Sequence, residues 1–131
     1  MYNKSKTKYM QNPVALYSLE IGAAILFWLV FVVVETAVLQ FLNWGNFQQC
    51  LRASFWANLA SGLVIGIAFT MIPRFGLPGL IIGCLISIVI EGFILNQLKK
   101  NAKSLNWIAA ILANLISFII LVLPVFLFSR G

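Results

Sequence analysis

Histidine and aspartate are missing from this chain of 131 residues, and its only acidic side chains are Glu20, Glu35 and Glu91. Without histidine there is no ready acid–base group near neutral pH and none of the commonest metal or haem ligand. Two glutamates with a pair of asparagines are thin in charge for a hard cation. Cysteine is scarce as well. Cys50 falls in a turn and Cys84 inside an apolar run, so the two lie at different depths and no internal disulfide is expected. Neither thiol has a base beside it, and no glycine-rich phosphate loop occurs. The expectation is a protein that is not an enzyme, with no metal and no cofactor.

Charge is the next shortage. Only 9% of the residues are charged, against about 25% in ordinary soluble domains. The net charge of +6 is spread over chain ends and turns. It has no polar domain to sit on, so basic residues contacting lipid head groups fit better than a nucleic-acid footprint, and no nucleic acid is expected as partner.

What is present is apolar surface. Hydrophobic residues make up 62% of the chain, and the mean hydropathy is +1.00. An integral, multi-pass membrane protein follows, all-α, with four apolar runs at roughly 21–42, 53–72, 79–98 and 107–128. Each holds about 20 residues, the number needed to cross the hydrocarbon core. Residues 1–16 form a polar, basic N-terminal segment with Lys4, Lys6 and Lys8, and 17–131 form one transmembrane domain. The first run is longer than the core of a signal peptide and no small-x-small cleavage site follows, so it reads as a span. Asn12-Pro13 marks a helix start, Gly45 and Asn46 break the first turn, and Pro124 bends or ends the last span.

The four runs are two copies of one unit. Shifting the chain by 56 positions lays Val33–Ser61 on Val89–Ser117 with nine identities in 29 positions. The informative ones are Glu35/Glu91 and Asn58/Asn114, polar residues inside apolar runs at one shared spacing of 23. Each copy is a helical hairpin, about 17–72 and 77–128. Because a two-span unit enters and leaves on the same side, the copies share one topology. They are related by a pseudo-two-fold axis along the membrane normal, not by inversion.

Hairpin symmetry then pairs the polar groups. Glu35 and Asn58 are equidistant from the first turn, as Glu91 and Asn114 are from the third, so each Glu faces its Asn at one depth, roughly 10 Å inside the hydrocarbon boundary. A carboxyl and an amide can satisfy each other without a counter-ion. Small residues every four positions mark expected helix contacts: Ser54, Gly62, Gly66 and Thr70 on the second span, Gly79, Gly83 and Ser87 on the third, Ser117 on the fourth. Arg52, Lys99, Lys100 and Lys103, with Trp44 and Trp107, are assigned to the lipid interface on the hairpin-turn side.

Two functions remain open. The first is a non-enzymatic accessory, assembly or scaffold subunit of a larger membrane complex, its partners being lipids and other membrane subunits or a second copy. The alternative is a small proton- or cation-linked transporter or channel using the Glu/Asn pairs, since ionisable residues inside a span are functional candidates by default. Orientation rests on five basic residues on the termini side against four opposite, a lean toward cytoplasmic termini in a bacterial inner or equivalent membrane.

Overall fold

The computed structural model describes residues 13–68 and 76–128. The basic N-terminal lysines, Thr70, Arg74 and Arg130 lie outside the described residues. The described chain is helical, and no strand occurs in it. Helix α1 is Pro13–Phe41, α2 is Phe47–Ala68, α3 is Gly76–Leu98 and α4 is Lys103–Ser117; α4 runs on through a widened turn, Phe118–Val122, into α5, Leu123–Phe128. Three of these rods, Tyr17–Phe41, Gly76–Leu98 and Lys103–Phe128, are long and apolar enough to cross a membrane, which is compatible with a membrane protein. α2 is the polar one of the set. It carries Gln48, Gln49, Arg52, Ser54, Asn58 and Ser61.

Helices run further than the apolar runs that announce them. The first turn is short because both of its sides are capped. At the end of α1, Asn43 takes the left-handed conformation with φ 53°. Its N–H donates to the Gln40 carbonyl at 2.9 Å, and Trp44 N–H donates to the Leu39 carbonyl at 2.9 Å. That pair of bonds is the Schellman arrangement, with the usual apolar contact between Leu39 and Trp44, both in the core. Two residues on, Asn46 Oδ1 accepts from Gln49 N–H at 2.9 Å, while Gln49 Oε1 accepts from Asn46 N–H at 3.0 Å. This reciprocal box starts α2 at Phe47, six residues before the apolar run begins. α3 starts at Gly76, whose φ of 55° suits glycine, and Pro78 sits in its first turn, where a missing N–H is harmless. The second hairpin turn closes within 99–102, so Lys103 and Ser104 are helical, not part of a turn.

Pro124 leaves its mark one turn upstream. It has no N–H for the Ile120 carbonyl, and its ring crowds that carbonyl. The backbone widens, and Leu123 N–H reaches back five residues to the Phe118 carbonyl. The helix continues past the proline as α5.

Packing runs around a ring: α1 on α2, α2 on α3, α3 on α4, α4 on α1. The two hairpins bury the same register. Glu35, Thr36 and Leu39 are buried in α1, and Glu91, Gly92 and Leu95 in α3. Cys50, Ala53, Ser54, Ala57, Asn58 and Ser61 are buried in α2; Asn106, Ala109, Ala110, Ala113, Asn114 and Ser117 in α4. Every one of these pairs is separated by 56 positions. The inner faces of α2 and α4 are thus made of Ala, Ser and Asn, which lets the backbones approach closely. Cys50 and Cys84 are both free.

Candidate functional site

The inward register places both glutamates in the middle of the bundle, Glu35 and Glu91 each 3% exposed. Glu35 Oε2 accepts from Asn58 Nδ2, and Glu91 Oε2 accepts from Asn114 Nδ2 at 2.6 Å. Each asparagine uses its second N–H on the carbonyl one turn earlier in its own helix, Asn58 on Ser54 at 2.9 Å and Asn114 on Ala110 at 3.0 Å. Those local bonds fix the rotamers, so the amides are held ready for the carboxyls. The two hairpins are then joined by Ser61. Its Oγ donates to Glu91 Oε1 at 2.8 Å, from α2 to α3.

The pseudo-two-fold is broken at this last bond. Ser117 is the counterpart of Ser61, three residues past its asparagine as Ser61 is past Asn58. By symmetry it belongs on Glu35. Yet Ser117, 1% exposed, leaves its Oγ without a hydrogen-bond partner, and among the described residues Glu35 receives only the Asn58 amide. One carboxyl is therefore held by two donors from two helices, the other by a single donor.

Ser54 Oγ is the second buried hydroxyl without a partner. The same position in the second hairpin is Ala110, equally buried. A buried hydroxyl without a partner is destabilising, so Ser54→Ala is expected to raise stability by about 1 kcal/mol, read as a higher denaturation temperature in detergent.

A second polar cluster lies at the turn end. Asn106, fully buried, accepts from Trp44 Nε1 at 2.7 Å through Oδ1. Its amide donates to Asn96 Oδ1 at 3.0 Å and to the Lys99 carbonyl at 2.8 Å. Lys99 Nζ donates in turn to the Trp44 carbonyl and lies 5.2 Å from the centroid of the Trp44 ring. Trp44 is therefore buried and not a lipid-facing anchor in this fold, and Lys99 is half-buried against it. The Schellman turn tucks Trp44 over the core, where its indole N–H and its carbonyl both find partners. Trp44→Phe is expected to cost about 1–3 kcal/mol, since Asn106 Oδ1 then stays buried without a donor; the same denaturation measurement reads it. Arg52, Lys100 and Lys103 are exposed, and Trp107 is half-buried against Phe93, with ring centroids 5.7 Å apart.

The small residues divide in the same way. Ser54, Gly79, Gly83, Ser87 and Ser117 are buried, whereas Gly62 and Gly66 are exposed. The reason is geometric. A spacing of four advances the helix by about 40° per step relative to one full turn, so the α2 face that holds Ser54 and Asn58 inward continues at Ser61, and the two glycines rotate outward. A Cβ built on either meets nothing within 4 Å among the described residues.

Between the Glu/Asn layer and the end of the bundle away from the hairpin turns lies a cavity of about 410 Å³. All four helices contribute to its wall, which is mostly apolar, and Ser87 and Asn114 line its inner end. A groove of about 660 Å³ on the outside, between α1 and α4, is apolar. Among the described residues no three groups of the kinds that ligate metals come together. The chain matches no family model, no curated protein and no solved structure.

Proposed function

We propose that this is a small, non-enzymatic, multi-pass membrane protein in which all four helices cross, and that it serves as an accessory, assembly or scaffold subunit of a larger membrane complex. The observation that carries the reading is the use made of the intramembrane polar groups. Asn58, Asn114 and Ser61 are spent on ties between helices, Asn–Glu within each hairpin and Ser–Glu between them. The polar face of α2 is turned into the bundle, which supports counting it as the fourth crossing despite its composition. The two hairpin turns are short, so the described surface left for partners is chiefly the apolar face of the helices.

Gentle extraction with a C-terminal tag and native mass determination test this. The expected result is one stable assembly containing other membrane subunits; a bare monomer or homodimer overturns the scaffold role. Four crossings also fix the topology. Single cysteines introduced at Asn46 and Asn101, in a variant lacking Cys50 and Cys84, are expected to react with an impermeant thiol reagent from the same side, opposite to a cysteine at Ser5. Labelling of the two turns from opposite sides overturns the four-span arrangement. The termini are proposed to be cytoplasmic.

The second reading, a proton- or cation-linked transporter, draws support from the cavity and from the uneven hold on the two carboxyls. It predicts that Glu35→Gln and Glu91→Gln express normally and abolish flux in liposomes, whereas the scaffold reading predicts that both are tolerated.

A further inference from the structure

The interior cavity has a chemistry of its own. It is half open and walled by α1, α2, α3 and the α4–α5 rod. Its volume, about 410 Å³, falls within the ~300–1,000 Å³ of small-molecule sites. The wall is aromatic, with Phe27, Phe31, Phe118 and Phe126 all facing the space. Phe27 and Phe31 stand edge to face, centroids 5.1 Å apart. Gly83 opens the wall on α3, and a Cβ built there meets nothing within 4 Å.

The inner end differs from the wall. Ser87 is 9% exposed, lines the cavity and makes no hydrogen bond among the described residues. Asn114 is 7% exposed beside it. Both of its hydrogen bonds use Nδ2, which leaves its Oδ1 as an acceptor at the cavity. Directly behind Asn114, one hydrogen bond of 2.6 Å away, is the Glu91 carboxyl. Glu35 is tied into the same layer through α2, whose Asn58 bonds it and whose Ser61 bonds Glu91. Every described donor to these two carboxyls is a neutral amide or hydroxyl. The basic side chains nearest in sequence, Arg52 and Lys99, lie at the opposite, turn end, where Lys99 is engaged by Trp44.

We infer that this cavity is a binding site for a lipophilic monocation, a compact apolar molecule carrying one delocalised or amine positive charge. The aromatic faces attract a cation by their quadrupole, the apolar wall takes its hydrocarbon, and Asn114 Oδ1 and Ser87 Oγ present oxygen to the charge. The carboxyl layer, one hydrogen bond behind Asn114, can balance a bound cation by releasing a proton. A neutral lipid tail would use the apolar wall but none of the polar end. The site goes beyond the scaffold reading and does not depend on it, since an assembly subunit needs no occupied cavity.

The test uses the full-length protein in detergent micelles with tetraphenylphosphonium, followed by equilibrium dialysis. Tetraphenylborate, of the same shape and opposite charge, is the control. Saturable binding of one tetraphenylphosphonium per chain is expected, with tetraphenylborate at least tenfold weaker. Gly83→Phe, whose Cβ has nothing within 4 Å and whose ring enters the space, is expected to abolish binding, and Glu35→Gln/Glu91→Gln to weaken it at least tenfold. No saturable binding to the wild type overturns the inference, as does equal affinity for the two ions. So does affinity unchanged by Gly83→Phe, or a co-purifying phospholipid that tetraphenylphosphonium does not displace. The wild-type comparison of the two ions needs no variant to fold. Native mass determination decides the scaffold role separately.

Discussion

Asn58→Leu is expected to destabilise the protein by about 3 kcal/mol, Asn114→Leu by about 2 kcal/mol, and Glu91→Gln by less than 1 kcal/mol. The order follows from how many donors each carboxyl keeps. Without the Asn58 amide, Glu35 is left with no described donor; without the Asn114 amide, Glu91 still has Ser61 Oγ at 2.8 Å. Leucine has the branched shape of asparagine but is larger, so both variants also carry a packing cost, and it is the difference between them that reads the missing donor. Glu91→Gln keeps an oxygen that accepts from Asn114 Nδ2, and its amide N–H can donate to Ser61 Oγ, whose own hydroxyl turns to the Asn58 carbonyl. Removing both members, Glu91→Leu/Asn114→Leu, strands no further buried side chain, since the Ser61 hydroxyl that loses Glu91 retains the Asn58 carbonyl at 3.4 Å. The double variant is therefore expected within about 1 kcal/mol of wild type. The coupling in that cycle is expected near 2 kcal/mol, read by reversible unfolding in mixed micelles. Neutral hydrogen bonds between membrane helices average ~0.6 kcal/mol and reach ~1.7. A coupling near the lower figure means the Glu91–Asn114 bond is an ordinary neutral one and removes the electrostatic argument; equal losses from Asn58→Leu and Asn114→Leu remove the asymmetry.

That asymmetry was invisible in the repeat. The sequence treats Ser61 and Ser117 alike, three residues past an asparagine and one full unit apart, and no local pattern distinguishes the serine that finds a carboxyl from the one that does not. The Glu–Asn pairing was legible for the opposite reason. Polar residues inside apolar runs are rare, and their equal distance from each turn leaves one partner at the same depth. The buried register of the hairpins was legible too, wherever identities marked it: Leu39/Leu95, Ala53/Ala109, Ala57/Ala113. Reading small residues by fours worked where the run was short or the helix faced the bundle throughout, as along Gly79, Gly83, Ser87 and Glu91. It failed on α2 at Gly62 and Gly66, because a four-residue period drifts off the buried face.

The turn-end cluster escaped for a different reason. Asn106 ends the basic stretch before the fourth apolar run, and in that place it reads as part of the turn. The structure places it inside α4, fully buried, bonded to three separate groups. Its counterpart in the first hairpin is Cys50, so the repeat gave no hint that the position matters. A usable signal was present: an indole with one donor, Trp44, in the facing turn. Aromatic residues beside basic ones look the same whether they border lipid or cap a core, and only the Schellman bond from Trp44 N–H to Leu39 settles it here. Capping chemistry also explains the underestimated helix lengths. Hydropathy stops where polar residues begin, but Asn46 and Gln49 are polar because they start a helix.

The same comparison of hairpins predicts a repair. Gly92 faces the Trp107 ring so closely that a Cβ built on it lies 2.3 Å from Cζ3 and 2.5 Å from Cε3. The first hairpin carries Thr36 and Leu51 at the equivalent positions. Thr36 is buried there, its hydroxyl donating to the Val32 carbonyl at 2.6 Å, and the matching carbonyl in α3 belongs to Ile88. Gly92→Thr is expected to cost about 3 kcal/mol, since the branched side chain forces the indole off its seat on α3 and away from Phe93. Trp107→Leu alone is expected to cost about 2 kcal/mol through lost contact with that same seat. Combined, Gly92→Thr/Trp107→Leu rebuilds the arrangement of the first hairpin, so the double variant is expected at least about 2 kcal/mol more stable than the sum of the single losses. The measurement is a double-mutant cycle by thermal unfolding in detergent, with Trp107 fluorescence as a second reading in Gly92→Thr, where a red shift reports the displaced ring. Strict additivity of the two losses means the two hairpins solve this contact independently. It would confine their equivalence to the layers that hold Glu, Asn and Ala, which is where the pseudo-two-fold is strongest. Recovery extends the symmetry one helical turn toward the hairpin loops, to the level at which Asn106 and Cys50 already part company.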